Sequence, residues 1–205
     1  LQKYRVAMEC IQILREKMVN VTFYYALLNN TSMILTDIGL LGKARKQLEE
    51  SLRGIDLLPV QSVAATRYRY AELLMTQGEY DAAQTMYLEM LGTAQREGFI
   101  APAQIYARLT VLSYRRRDGV AIRYWHEEMH NARVCYSEQD RAIDYDSALY
   151  ADAVYYAWTG QYKQADEAFQ ELLSCLEHTM FDRTAILRDA AELYDSLGKM
   201  ERSHP

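Results

Sequence analysis

One short pattern recurs along this chain. A large residue is followed three positions later by a small one, and four positions after that by a second large apolar residue. It reads Tyr4-Ala7-Ile11, Leu41-Ala44-Leu48, Tyr80-Ala83-Tyr87 and Tyr162-Ala165-Phe169. A weaker copy stands at Ala121-Trp125, and a truncated one begins at Met200. The aligned small residues Ala7, Ala44, Ala83, Ala121, Ala165 and Ser203 are 37, 39, 38, 44 and 38 residues apart. Residues three and four apart share one face of a helix, so each copy predicts a helix. A repeat of this length is one supersecondary unit that cannot bury its apolar face alone and must stack on its neighbours.

Glycine marks the turns. Gly39, Gly78, Gly160 and Gly198 each precede an aligned small residue by five positions. Glycine enters the left-handed conformation that ends a helix without a Cβ penalty, and the next helix follows at once. The helix before each glycine repeats too, with Ser32, Ala71, Ala153 and Ala191 each seven positions upstream. Small residues there let two helix backbones approach closely.

The segments Tyr70-Ala71-x-x-Leu74-x-x-x-Gly78-x-Tyr80-x-x-Ala83-x-x-x-Tyr87 and Ala153-x-x-Tyr156-x-x-x-Gly160-x-Tyr162-x-x-Ala165-x-x-x-Phe169 resemble the tetratricopeptide repeat (TPR). The resemblance covers nearly the whole chain. It implies an all-α, right-handed superhelical solenoid of TPR-like helix-turn-helix repeats. The spacing exceeds the usual period of about 34 residues and looks more like the helical sensor domains of bacterial regulators, an analogy of fold alone.

The chain is accordingly expected to be a single TPR-like solenoid over 1–205. The second helix of a repeat would span 3–19, full repeats 22–57, 61–97, 101–137 and 142–178, and the first helix of a further repeat 183–197. Predicted helices run over 3–19, 22–38, 41–55, 61–77, 80–96, 101–116, 120–136, 142–159, 162–177 and 183–197. Solenoids need polar capping repeats. Neither end reads as a cap, so the expectation is a fragment of a longer protein.

Composition narrows the function. Half of the residues are apolar, enough for a continuous core, and three prolines among 205 residues suit long helices. No apolar run is long enough to span a bilayer. A net charge of −5 argues against a general nucleic-acid surface. The basic run Arg115-Arg116-Arg117 before Asp118-Gly119 reads as a solvated turn or as a contact for an acidic partner. Cys10, Cys135 and Cys175 lack metal-ligand spacing and suit buried free thiols in a reducing compartment. The expected location is the cytoplasm, or the periplasm for the sensor part of a membrane-anchored protein.

His126-Glu127-Glu128-Met129-His130 matches the zinc-protease pattern H-E-x-x-H. Glu128 places a charge where those enzymes usually have none, and no downstream signature supplies a third ligand. Trp125 is expected to point inward, leaving His126, Glu127 and His130 on a polar face. The expectation is therefore no metal, no cofactor and no catalytic residue, with a zinc-dependent hydrolase as a remote alternative. Asp140, Asp144 and Asp146 lack the glycine and final glutamate of a calcium loop and read as acidic helix starts.

In TPR-like stacks the first helix of each pair lines the concave surface. With the turn glycine as position fifteen, position five holds Asn29, Tyr68, Tyr106, Tyr150 and Arg188. Position nine holds Met33, Glu72, Thr110, Val154 and Glu192, and position thirteen includes Tyr114 and Trp158. With Arg69, Glu72, Arg188 and Glu192 setting charge preference, these residues form the candidate groove for a protein or peptide partner. Aromatics give large contact area at small entropic cost, although the same residues would also serve as packing between repeats. The expected function is a protein- or peptide-binding module, the sensor or scaffold region of a larger bacterial regulatory or signalling protein. The alternative is an architectural module that self-associates as a homo-oligomer or docks within its own chain.

Overall fold

A computed structural model describes the backbone of residues 2–17, 21–97, 101–174 and 183–203. Among them there is no strand. The helices are α1 (Gln2–Lys17), α2 (Val21–Asp37), α3 (Leu41–Arg53), α4 (Val60–Gln77), α5 (Tyr80–Glu97), α6 (Pro102–Arg115), α7 (Gly119–Val134), α8 (Glu138–Ile143), α9 (Tyr145–Thr159), α10 (Tyr162–Ser174) and α11 (Arg183–Ser203). They fall into two compact units, Leu1–Met90 and Leu91–Pro205.

In the first unit, Leu35 of α2, Ala44 and Leu48 of α3 and Leu73 of α4 form a core flanked by Leu41 and Tyr70. Ser32, Ala71 and Ala83 are at most 1% exposed. These are the small residues of the repeat, and their lack of bulk is what lets the helices touch. In the second unit, Ala103 and Ala107 of α6, Met129 of α7 and Ala148 and Ala151 of α9 play the same part. Phe169 and Ala165 of α10 are fully buried.

The turns explain the period. Gly39, Gly78 and Gly160 take φ of +76°, +79° and +77°. After each, the next amide donates back five residues: Leu40 to Leu35 (2.8 Å), Glu79 to Leu74 (2.9 Å) and Gln161 to Tyr156 (2.9 Å). This is the Schellman closure of a helix. Asp118 N–H closes α6 on Ser113 in the same way at 3.0 Å. The left-handed residue there is Arg117, at φ +57°.

That turn corrects the alignment of the degenerate copy. If Arg117 takes the glycine's place, the small-residue position of α7 falls on Ile122, not Ala121. The backbone agrees. Ile122 N–H bonds Asp118 as Ala44 bonds Leu40, Ala83 bonds Glu79 and Ala165 bonds Gln161, and Ile122 is fully buried. The inward large position four residues on is therefore His126, where Trp125 was expected. On α6, Thr110 takes the close-approach position of Ser32, Ala71 and Ala153, and it too is fully buried.

Three further expectations change. The segment 137–140, between the expected helices 120–136 and 142–159, begins α8: Ser137 and Asp140 form a capping box, each side chain accepting from the other's backbone N–H at 3.2 Å. Gly198 does not end a helix, since α11 runs through it to Ser203. No hairpin partner turns back there among the described residues, and Ala191 is exposed. Cys135 is exposed and Cys10 half-buried, so neither is the buried thiol expected. Cys175, residues 98–100 and 178–182 between the expected helices, and the side chains of Tyr4 and Ala7 lie outside the described residues.

One polar cluster ties three helices of the second unit. The Arg115 guanidinium donates to the Tyr150 hydroxyl at 2.9 Å and to the Asp189 carboxylate at 3.2 Å. The Tyr150 hydroxyl in turn donates to Asp189. The Arg115 and Asp189 side chains are only 7% and 2% exposed. Burial works against the Arg115 charge, but Tyr150 and Asp189 outweigh it and raise its pKa. Burial also raises the Tyr150 pKa, so its share of stability is complete below about pH 10 and is lost as pH climbs beyond that. A second pair, Arg133 and the buried Asp144, lies at 3.1 Å and holds α7 against the start of α9.

Asp189→Ala leaves a buried guanidinium without its carboxylate and should cost about 3–5 kcal/mol. Tyr150→Phe should cost about 1–2 kcal/mol. Both are read from urea midpoints. Arg117→Gly should stabilise by about 1 kcal/mol and Gly78→Ala destabilise by a similar amount, because each changes the cost of a left-handed residue.

Candidate functional site

In the first unit the groove candidates form two tethered pairs. An Arg69 Nη1 donates to the Met33 sulfur at 3.0 Å, across α4 and α2. The Tyr87 hydroxyl donates to Glu72, and the Tyr68 ring meets the Tyr87 ring edge-on at 6.1 Å. Burial lowers the Arg69 pKa, against the pull of Tyr68 and Asp37. Asn29 is 9% exposed, which places it in the helix packing. Tyr68, Arg69, Glu72 and Met33 remain half-buried.

The second unit sorts its candidates more sharply. Tyr150, Val154 and Thr110 are 1% exposed or less and serve the interior. The physical reason for Tyr150 is the Arg115–Asp189 pair, which gives its hydroxyl partners inside the fold. Tyr106 is half-buried and stacks on Trp125 at 5.9 Å and 21°. Trp125 meets Tyr124 edge-on at 4.6 Å, so these rings make an aromatic ledge on the α6–α7 hairpin.

Tyr114, Trp158, Arg188 and Glu192 gather near the turn end of the unit. Burial, reinforced by the charges of Asp189 and Glu192, pushes the Tyr114 phenol up to about 12. Arg117 lies 3.8 Å from Glu192, and Arg188 lies 3.5 Å from Asp189. Trp158 lines an open pocket of about 770 Å³ with Arg116, Arg117, Asp118, Gly119, Val120 and Arg123.

Gly119 creates this pocket. In the corrected register it occupies the place of Leu41, Tyr80 and Tyr162, the large residue that opens each second helix. A Cβ on Gly119 would lie 2.9 Å from the Trp158 ring. The missing side chain thus admits the indole and leaves the arginines around it. Asp118 is engaged as the N-cap of α7, its carboxylate accepting from Ala121 N–H at 3.0 Å. Arg115, first of the basic run, is internal, so only Arg116 and Arg117 extend into solvent. Arg123 is a pocket residue that the sequence reading missed. Its one available signal was its place one turn after Gly119 on the same helix.

The H-E-x-x-H segment also differs from expectation. His126 is 9% exposed and stacks flat on Tyr155 of α9, at 3.8 Å and 3° between planes. Asp152 of α9 reaches both imidazoles, with Oδ1 2.7 Å from His126 Nε2 and 2.9 Å from His130 Nε2. Burial raises the Asp152 pKa, but its hydrogen bonds to His126 and His130 outweigh that and hold it below the ordinary carboxylate value. Glu127 points to solvent. Nothing in the sequence marks Asp152, because its meeting with α7 depends on how two non-consecutive helices stack.

No protein-family model matches the chain, and no curated protein sequence does either. Solved structures do match. BtubC (BKLC) from P. vanneervenii superposes with a TM-score of 0.64 at 18% identity, over 86% of this chain and 76% of that one. A tetratricopeptide repeat protein from Parabacteroides merdae ATCC 43184 superposes with a TM-score of 0.55 at 17% identity, over 98% of this chain and 76% of that one. At these identities the likeness is one of fold: the chain is an all-α helical-repeat protein of TPR-like architecture.

Proposed function

We propose that the chain is a protein- or peptide-binding scaffold of the TPR-like kind, the sensor region of a larger bacterial regulatory protein, and that its second unit takes an acidic segment of the partner beside Trp158. The TPR-like fold supports a protein-interaction module in general. The observation that carries the finer reading is the Trp158 pocket. Three arginines surround one indole in a chain whose net charge is −5. A local cationic pocket on an anionic protein selects for anionic groups that the rest of the surface repels.

The pocket combines the two contacts that dominate peptide hot spots, a large aromatic face and charge-assisted hydrogen bonds. A partner aspartate or glutamate would meet Arg116 and Arg123, while a neighbouring apolar side chain would lie on Trp158 and on Val120, which is 83% exposed. Tyr114, Arg188 and Glu192 border the same end of the unit and would set the flanking preference. In the first unit, Tyr68, Arg69, Glu72 and Met33 offer a separate, more tethered surface. The ledge of Tyr106, Trp125 and the 53% exposed Tyr124 favours a second reading, self-association.

The test is fluorescence anisotropy with labelled peptides that carry glutamates beside a leucine, against glutamine-for-glutamate controls. The acidic peptides should bind more tightly, and salt should weaken them. Arg123→Glu should reduce affinity roughly tenfold or more, since one charge-assisted bond contributes about 1.5–3 kcal/mol. Gly119→Ala should do likewise by displacing Trp158. Equal binding of acidic and neutral peptides overturns the pocket assignment. A concentration-dependent dimer in sedimentation that Tyr124→Glu dissolves establishes self-association instead.

A further inference from the structure

We propose that His126, His130 and Asp152 form a binding site for a first-row divalent transition metal, zinc above all, joining α7 to α9 with one coordination position left open. The three ligand atoms form a closed triangle. His126 Nε2 and Asp152 Oδ1 are 2.7 Å apart, His130 Nε2 and Asp152 Oδ1 2.9 Å, and the two Nε2 atoms 3.2 Å.

Hydrogen bonding alone does not account for all three edges. If each imidazole donates its Nε2 proton to Asp152, the two donors face each other at 3.2 Å with no acceptor between them. If one imidazole carries its proton on Nδ1, its Nε2 lone pair faces the carboxylate. A single cation at the centre satisfies every edge, because it replaces the protons and accepts a lone pair from each atom. Zinc bound at about 2.0–2.1 Å with tetrahedral geometry holds its ligands about 3.3 Å apart, so the triangle needs to open by about 0.6 Å at its shortest edge and hardly at all between the two imidazoles.

The surroundings are those of a prepared site. His126 and His130 lie four residues apart on one face of α7, and the His126 ring is fixed by its stack on Tyr155. Tyr155 and Asp152 lie three apart on α9, so the residue that fixes the ring and the residue that brings the charge share one face. Asp152 is 19% exposed as a side chain, and His130, at 46%, opens the cluster to solvent and provides the way in. Two neutral imidazoles and one carboxylate suit the borderline ions Zn²⁺, Co²⁺ and Ni²⁺ better than Mg²⁺ or Ca²⁺, which favour all-oxygen sites. His126 stands where the other repeats place Leu48, Tyr87 and Phe169, so the site is an exchange of one buried apolar contact for a polar one. The inference does not depend on the peptide pocket.

The experiment is titration of the chelator-treated chain with Co²⁺, read by its visible d–d absorption, followed by displacement with Zn²⁺. One equivalent of Co²⁺ per chain should bind with the intense bands of a low-coordinate site, and Zn²⁺ should bleach them. His130→Ala and Asp152→Asn, each checked for helicity by circular dichroism, should weaken binding by more than the roughly 10–100-fold that loss of an outer-shell partner costs. Zn²⁺ should also raise the Tm of the native chain and not that of either variant. Uptake well below one equivalent overturns the proposal, as does equal uptake by the native chain and both variants.

Discussion

Close approach of helix backbones is the constraint on which everything else in this protein rests. It is enforced at residues with almost no side chain: Ala44, Ala71, Ala83, Ala153 and Ala165 are all fully buried. In these copies a large side chain would overpack the crossing, at a cost of about 1–3 kcal/mol, whereas the degenerate copy seats Ile122 at that position. A small residue lets a large neighbour, such as Leu48, Tyr87 or Phe169, fill the space one turn away. The repeat is therefore a packing code, and it constrains volume more than chemistry.

The polar interior of the second unit is built on that code and decides which aromatics remain for function. Arg115, Tyr150 and Asp189 satisfy one another across α6, α9 and α11. A buried ion pair contributes little net stability against an apolar replacement, but losing one member is costly. That asymmetry penalises any arrangement of the three helices that separates these partners. It also removes Tyr150 from the surface, while Trp158, two turns further along α9, stays half-exposed beside the arginines.

Both candidate sites arise in the degenerate repeat, where the packing code is broken. Gly119 stands in place of a large residue and opens the pocket beside Trp158. His126 stands in place of another and brings a polar ring against α9. Arg117 holds a left-handed turn that the other copies give to glycine, at a cost of about 1–2 kcal/mol. Departures from local consistency gather where a fold carries something besides stability, and in this chain three of them fall within ten residues.

The amino-acid sequence by itself determined the helical class, the repeat and most helix ends, because these depend on residues three, four and seven apart and on glycines that alone reach φ near +77° freely. It did not determine the register of α7, since a left-handed arginine carries no signal that separates it from an ordinary turn residue. That one-residue shift turned Trp125 and His126 about one another and moved Thr110 into the interior. The sequence also named Tyr106, Tyr114, Tyr150 and Trp158 as equals. Only the tertiary structure separated them, because exposure follows from which partners a ring finds on helices far away in sequence. Asp152 beside His126 and His130, and Arg123 beside Trp158, are decisions of the same kind. Helix periodicity is local and written in the chain, whereas the meeting of two non-consecutive helices is set by the summed volumes between them.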